Sequence, residues 1–295
     1  MRRCNTVFIL FVILLFSSFV PSLFSYQWPV EPRILSVFGQ WKGESFFKGI
    51  TLFSPASEVK PIEDGEIIFS HYESIQDGRL PYALGSFIVI EHENALRSIY
   101  GNFALSESAV DSKTYVGKTD SLGKAGLTGA AETSGVSLFI YDGEAGQFVN
   151  PFLLLPPFKD SRRPVIRNVQ LESKDALITL PTSDLVPKGN WEITAEIYDL
   201  SSAVTMFWPM GVYKVSLYIN GQELFTLTMD ALKESAGKIR VYPSEGFSAE
   251  QVYKEAFRMR LKSVQLNPGV ANIEIVARDF TGNERNQTFR FRVGD

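Results

Sequence analysis

One cysteine, Cys4, and two histidines, His71 and His92, are all the thiol and imidazole side chains in 295 residues. A catalytic zinc needs three nitrogen, sulfur or carboxylate ligands and an open position for water, and no His-x-x-x-His motif or His-Glu pair at ligand spacing is present. In "FIVIEHE" the two-residue period of a strand puts His92 on the face of Ile88 and Ile90 and turns Glu91 and Glu93 away. His71 falls at a strand end. Both read as structural or surface histidines, and no metal or other cofactor is expected. Basic charge is short as well: 29 Lys and Arg against 33 Asp and Glu leave a net charge of -4, which offers no field for nucleic acid or an anionic membrane. "GKAGLTG" lacks the Gly-Lys-Ser/Thr of a phosphate loop, and "GVSLF" lacks the Gly-x-Ser-x-Gly of a nucleophile elbow. Glu63, Asp64 and Glu66 read as a charged turn.

What is present begins with a compartment signal. Arg2 and Arg3 precede an apolar run from Val7 to Val20, followed by Pro21 and Ser22 and ending at Ser25. The run falls short of the roughly 20 residues that span a bilayer. A secretory signal peptide over residues 1–25, cleaved after Ser25, is therefore expected, with no membrane span in the mature chain. Cys4 would leave with it, so the exported protein has no disulfide and must rely on its cores, as suits a bacterial periplasmic or envelope protein.

The 45% hydrophobic and 13% aromatic content can fill such cores. From Gln27 to Pro156 the pattern is short apolar runs between Gly, Pro and Asp: residues 65–72, 85–93, 97–103 and 135–142 read as strands. In "SGVSLFIYDGEAGQFVNP" (134–151) a strand from Val136 to Tyr141 runs into an Asp142-Gly143 turn. "PPFKDSRRP" (156–164) has no periodicity and marks a boundary. The expected division is a domain at 26–156, a linker at 157–163 and a domain at 164–295. In the second, Asn220-Gly221 between alternating runs signals a type I′ hairpin, and "DFTGN" closes another. Ser248 and Gln251 form a capping box, and Tyr253, Phe257 and Leu261 at every fourth position predict a helix over 248–262. The expected fold is all-β: a β-sheet domain, then a sandwich with one inserted helix.

Six collinear fragments, "WPVEPRILSVFG", "FFKGITLFSP", "EDGEIIF", "GSFIVIEHENALRSIYGNF", "VGKTDSLGKAGLTG" and the 134–151 stretch, resemble the lysostaphin/LytM-type zinc endopeptidases of peptidoglycan. The resemblance covers Gln27 to Pro151. It implies a LytM-like fold in which His-x-Gly-x-Asp and the second histidine of a His-Leu-His-Phe strand hold zinc, while two further histidines polarise water. Here Phe47, Thr51 and Phe139 stand at the ligand positions, and Asn102 and Ser137 at the catalytic ones. The neighbouring Gly49, Tyr100, Gly101, Gly126, Thr128, Gly129, Gly135 and Leu138 are kept. The second domain looks like the immunoglobulin-like module of some envelope peptidases.

The resemblance thus implies a pseudoenzyme, a LytM-like protein with no metal or catalytic residue left. It would bind peptidoglycan, or a cell-wall hydrolase that it regulates, through a groove formed in the first domain by Phe47, Thr51, Tyr100, Asn102, Ser137 and Phe139. Two alternatives stay open. One is an active zinc endopeptidase with a relocated site. The other is a structural or adhesive surface protein whose groove is filled by Phe46, Phe47, Phe139 and Tyr141.

Overall fold

The computed structural model describes residues 26–73, 82–105, 113–243 and 246–294; the expected signal at 1–25 lies outside them. Among the described residues no helix is long and apolar enough to cross a membrane. The fold is almost entirely β, in several sheets.

The strand Gly135–Asp142 organises the first half because both of its edges are used along its length. One edge pairs with Leu96–Gly101 through residues 137–142. The other pairs first with Gly49–Phe53, through 135–139, and then with Gln147–Val149, through 140–142. Its alternation sends Val136, Leu138 and Ile140 into the core, where all three are fully buried. Each contributes roughly 1.5–3 kcal/mol by leaving water. Beyond Leu96–Gly101 the sheet continues through Phe87–Glu91 and Gly65–His71 to Tyr115–Val116. The connection after Asp142 is longer than the two-residue turn expected from Asp142-Gly143. Residues 143–146 form the loop, the Asp142 carboxylate accepts from the backbone N–H of Glu144 and Ala145, and Gly146 supplies the left-handed residue (φ 66).

Beyond a strand-free stretch at 154–164 the chain builds two more sheets. One runs Leu177–Thr179, Val165–Glu172, Gly189–Leu200, Arg258–Leu266, Tyr253–Glu255; the other runs Val186–Pro187, Glu284–Gly294, Gly269–Arg278, Lys214–Ile219, Gln222–Thr228. Ile193, Ile197 and Leu261 from the first share one core with Leu217, Ile275 and Phe291 from the second. The hairpin signal holds: Asn220 and Gly221 both have positive φ, 51 and 83, as a type I′ turn requires. In the "DFTGN" turn the Asp279 carboxylate accepts from the Asn283 N–H and the Thr281 hydroxyl.

The helix expected over 248–262 is not formed. The capping box is made, Ser248 with Gln251, but helix covers only Ala249–Val252. The chain then enters a hairpin, Tyr253–Glu255 against Arg258–Leu266, with Phe257 at φ 63 in the turn. A spacing of four is a multiple of two, so it satisfies a strand as well as a helix.

The two halves are joined by more than the expected linker. Gln147–Val149 pairs with Ala231–Ser235, which carries the large sheet on to Lys238–Tyr242. Phe38 and Phe46, from the first half, are buried in the second half's core, where the Phe46 ring meets Tyr253 at 6.0 Å. The Tyr253 hydroxyl donates to the Gly39 carbonyl at 3.0 Å. Two carbonyls of the strand Ile34–Ser36 are taken by the second half, Ile34 by the Ser201 hydroxyl and Leu35 by the Trp208 indole N–H at 2.7 Å.

Candidate functional site

Antiparallel register decides which of the candidate residues meet. Phe139 lies opposite Gly49 and Ile99, and Ser137 lies opposite Thr51 and Gly101. Directly opposed residues share a face, so Phe139, Ser137, Thr51 and Ile99 project from one side of the sheet. Leu138, Ile50 and Tyr100 project from the other. Tyr100 therefore does not belong to the groove: it is fully buried in the core, its hydroxyl accepts the Ile62 N–H at 2.8 Å, and burial pushes its pKa up. Asn102, two residues on, should share that side in a regular strand. It does not, because the strand ends at Gly101 and Asn102 adopts φ 70, a conformation Asn tolerates.

The Phe47 and Phe139 rings pack edge to face with centroids 5.5 Å apart. Phe139 also lies against Gly49, where an added Cβ would stand 2.7 Å from the ring and 2.4 Å from the Leu138 carbonyl oxygen. Glycine is what lets the ring settle onto the sheet. The Thr51 and Ser137 hydroxyls are hydrogen-bonded to each other at 3.2 Å. The Asn102 side-chain amide donates to the Thr128 carbonyl at 2.9 Å, and its backbone N–H donates to the Leu84 carbonyl. These residues do not fit a zinc ion: phenyl rings have no lone pair to give, the two hydroxyls are neutral and engaged with each other, and the Asn102 amide nitrogen is a donor.

Above them is a cavity of about 440 Å³, lined by Phe47, Thr51, Asn102, Ser137 and Phe139 of the candidate set. Sequence reasoning missed three of its walls. Lys42 and Lys48 flank Phe47 in the lining; Phe148 comes from the returning leg of the 134–151 hairpin; Trp208 comes from the second half. Trp208 is held there by its bond to Leu35, so the groove is not a property of the first half alone. Nothing local in the sequence around Trp208 points to it.

The two histidines sit elsewhere. His92 is buried, with Nδ1 2.8 Å from the Asp64 carbonyl oxygen and Nε2 2.6 Å from the Ser98 hydroxyl, and burial pushes its pKa down. His71 packs against Tyr82 and Phe87. Among the described residues, the only convergent group of three or more potential metal-binding side chains is Asp160, Asp199 and Asp279, whose ligand atoms lie within 4.8 Å of one another. They border a second cavity of about 30 Å³ at the junction of the halves. None of the three carries a sequence signal for a site: Asp199 and Asp279 stand at strand ends, and Asp160 lies in the strand-free stretch between the halves.

Residues 45–151 match the model described as Peptidase family M23, and a second model, which carries no description, matches residues 163–294. No curated protein matches the chain. Among solved structures, a putative peptidase M23 from Pseudomonas aeruginosa is 20% identical over 41% of this chain and 47% of its own, with a TM-score of 0.32. The catalytic domain of the prophage-encoded M23 protein EnpA from Enterococcus faecalis is 21% identical over 43% of this chain and 95% of its own, at 0.34. The catalytic domain of lysostaphin from Staphylococcus simulans is 20% identical over 36% and 76%, at 0.30. The chain thus spans about half the length of the first of these.

Proposed function

We propose that this chain is a non-catalytic, exported protein of the bacterial envelope, a LytM-like pseudoenzyme that binds the peptide part of peptidoglycan in the groove over the lost zinc site. The observation that carries this reading is the cavity of about 440 Å³ above Phe47, Thr51, Asn102, Ser137 and Phe139, a volume within the usual range of ligand pockets. The family match over 45–151 supports the link to cell-wall peptides. In this reading residues 1–25 are the export signal, 26–156 the LytM-like unit, 157–163 the connection and 164–295 an immunoglobulin-like sandwich that supplies one wall of the groove. A wall hydrolase as the groove's partner is the outcome that would redirect the proposal.

The test is sedimentation with purified sacculi, using the native chain and Phe139→Asp, with elemental analysis for zinc. Phe139 is only half-buried, so the variant is expected to melt cooperatively while losing most of its binding. The native chain should hold well under one zinc and release no peptide. Stoichiometric zinc with cleavage, or undiminished binding by a folded Phe139→Asp, would overturn the proposal; capture of a hydrolase without sacculus binding would replace peptidoglycan as the partner.

A further inference from the structure

The walls and floor of the groove are aromatic rings and hydroxyls, but its lining also carries charge. Lys42, Lys48 and Glu132 all border it. Lys42 is spoken for: its Nζ lies 3.9 Å from the Glu132 carboxylate and 5.7 Å from the centre of the Phe47 ring. Lys48 sits over the Phe148 ring at 5.0 Å, with no carboxylate at ion-pair distance among the described residues. Among the described residues the groove thus presents one surplus ammonium beside apolar rings and a hydroxyl floor.

We infer that the peptide bound in this groove carries a free carboxylate and that Lys48 is the residue that recognises it. The inference rests on the peptide-binding reading above and adds to it the chemistry of one end of the ligand. Charge complementarity selects the group. A cationic ligand would meet two ammonium groups against one carboxylate. A phosphate, with nearly two negative charges, would find a single uncommitted ammonium with Glu132 close by. One carboxylate balances the groove, and the Phe148 ring beneath Lys48 holds the ammonium in place at the groove's edge. Lys48 lies between Phe47 and Gly49, so its backbone is fixed by the register that seats Phe139 on Gly49.

Calorimetric titration of the full chain decides the matter, using as probes a soluble disaccharide-tetrapeptide muropeptide and the same molecule with its carboxyl groups converted to amides. The native chain should bind the carboxylate form about tenfold more tightly, the size of one charge-assisted contact worth about 1.4 kcal/mol. Lys48→Met keeps an apolar stem over Phe148 and should bind both forms equally, at the affinity of the amide form; Lys48→Arg should keep the preference. Equal binding of the two forms by the native chain, or a preference that survives in Lys48→Met, would overturn this inference and leave the groove as a peptide site. Failure of both forms to bind the native chain would overturn the peptide-binding reading together with it.

Discussion

Asp199 is a carboxyl group in a place that favours its neutral form, and Asp199→Asn should stabilise the protein by an amount that grows as the pH rises above about 4 and levels off above about 7. It sits near the end of Gly189–Leu200, 4% exposed, and its Oδ1 accepts the Leu200 N–H at 2.8 Å. Burial pushes its pKa up from 3.8 to about 7; the Asp160 and Asp279 carboxylates add to the rise, while the Leu200 N–H and the Arg162 guanidinium oppose it. Asp279 is itself satisfied by Asn283 and Thr281. Between about pH 4 and 7 the folded state therefore holds a proton that the unfolded state has released, so stability falls as pH rises through that window and the loss is complete above the folded pKa. At about 1.36 kcal/mol per unit over roughly three units, the ionised carboxyl costs up to about 4 kcal/mol above neutrality. The asparagine of the variant cannot ionise, and its amide can donate to Asp160 or Asp279. Urea unfolding at about pH 5 and about pH 8 gives the assay. The expected result is a gain of about 3–4 kcal/mol for Asp199→Asn at the higher pH and only about 1–1.5 kcal/mol at the lower, where the native carboxyl is neutral but the unfolded chain has already released its proton. An equal gain at both values, or a native protein that becomes more stable as the pH is raised while the variant does not, would refute the reasoning.

Gly49→Ala should lower the melting temperature, because the new Cβ would stand 2.4 Å from a backbone oxygen that cannot step aside; a cost of about 1–3 kcal/mol is expected, and an unchanged melt would mean the Phe139 seat is looser than its register implies. His92→Ala should cost about 1–3 kcal/mol by leaving the Ser98 hydroxyl and the Asp64 carbonyl without their shared partner, read by denaturant unfolding, with metal content unaltered. A fragment of residues 26–158 should fail to fold cooperatively, since it exposes Phe38 and Phe46 and loses the strand that pairs with Gln147–Val149; circular dichroism and limited proteolysis would show it, and a sharp melt would make the first half an independent unit.

The strands of the first half were legible because their burial is one-sided and local: Gly135–Asp142 is the very run that the sequence pattern marks, and Asn220-Gly221 forms its turn because both residues accept positive φ. The helix at 248–262 misled because Tyr253, Phe257 and Leu261 repeat every four residues, a spacing that both periods accept, while Ser248 and Gln251 gave a true start signal for a helix of one turn. Tyr100 misled in another way. It belongs to the same Tyr-Gly-Asn block as Asn102, but the left-handed backbone at Asn102 breaks the alternation, and only Asn102 turns toward the groove. The pairing of Gln147–Val149 with Ala231–Ser235 joins residues more than 80 positions apart, and no periodicity within either strand records the identity of its partner.

Whether the pocket above Phe47 and Phe139 collapses onto its aromatics or stays open turns on this junction. Two neighbouring phenyl rings gain most by burying each other, and Phe47 and Phe139 do so edge to face while Phe139 lies against the backbone that Gly49 leaves bare. That arrangement draws them toward the sheet and not across the opening. The opposite wall cannot follow, because Trp208 is pinned by its indole N–H to Leu35, and Leu35 is held by pairing of its strand with Gly49–Phe53. For the gap to close, Trp208 would have to leave that carbonyl, an unpaired buried group costing about 1–3 kcal/mol, more than a further ring contact of about 0.5–1.5 kcal/mol returns. One wall of the groove is thus held by the second half of the chain, which is why residues of the first half could mark its floor but could not decide its depth.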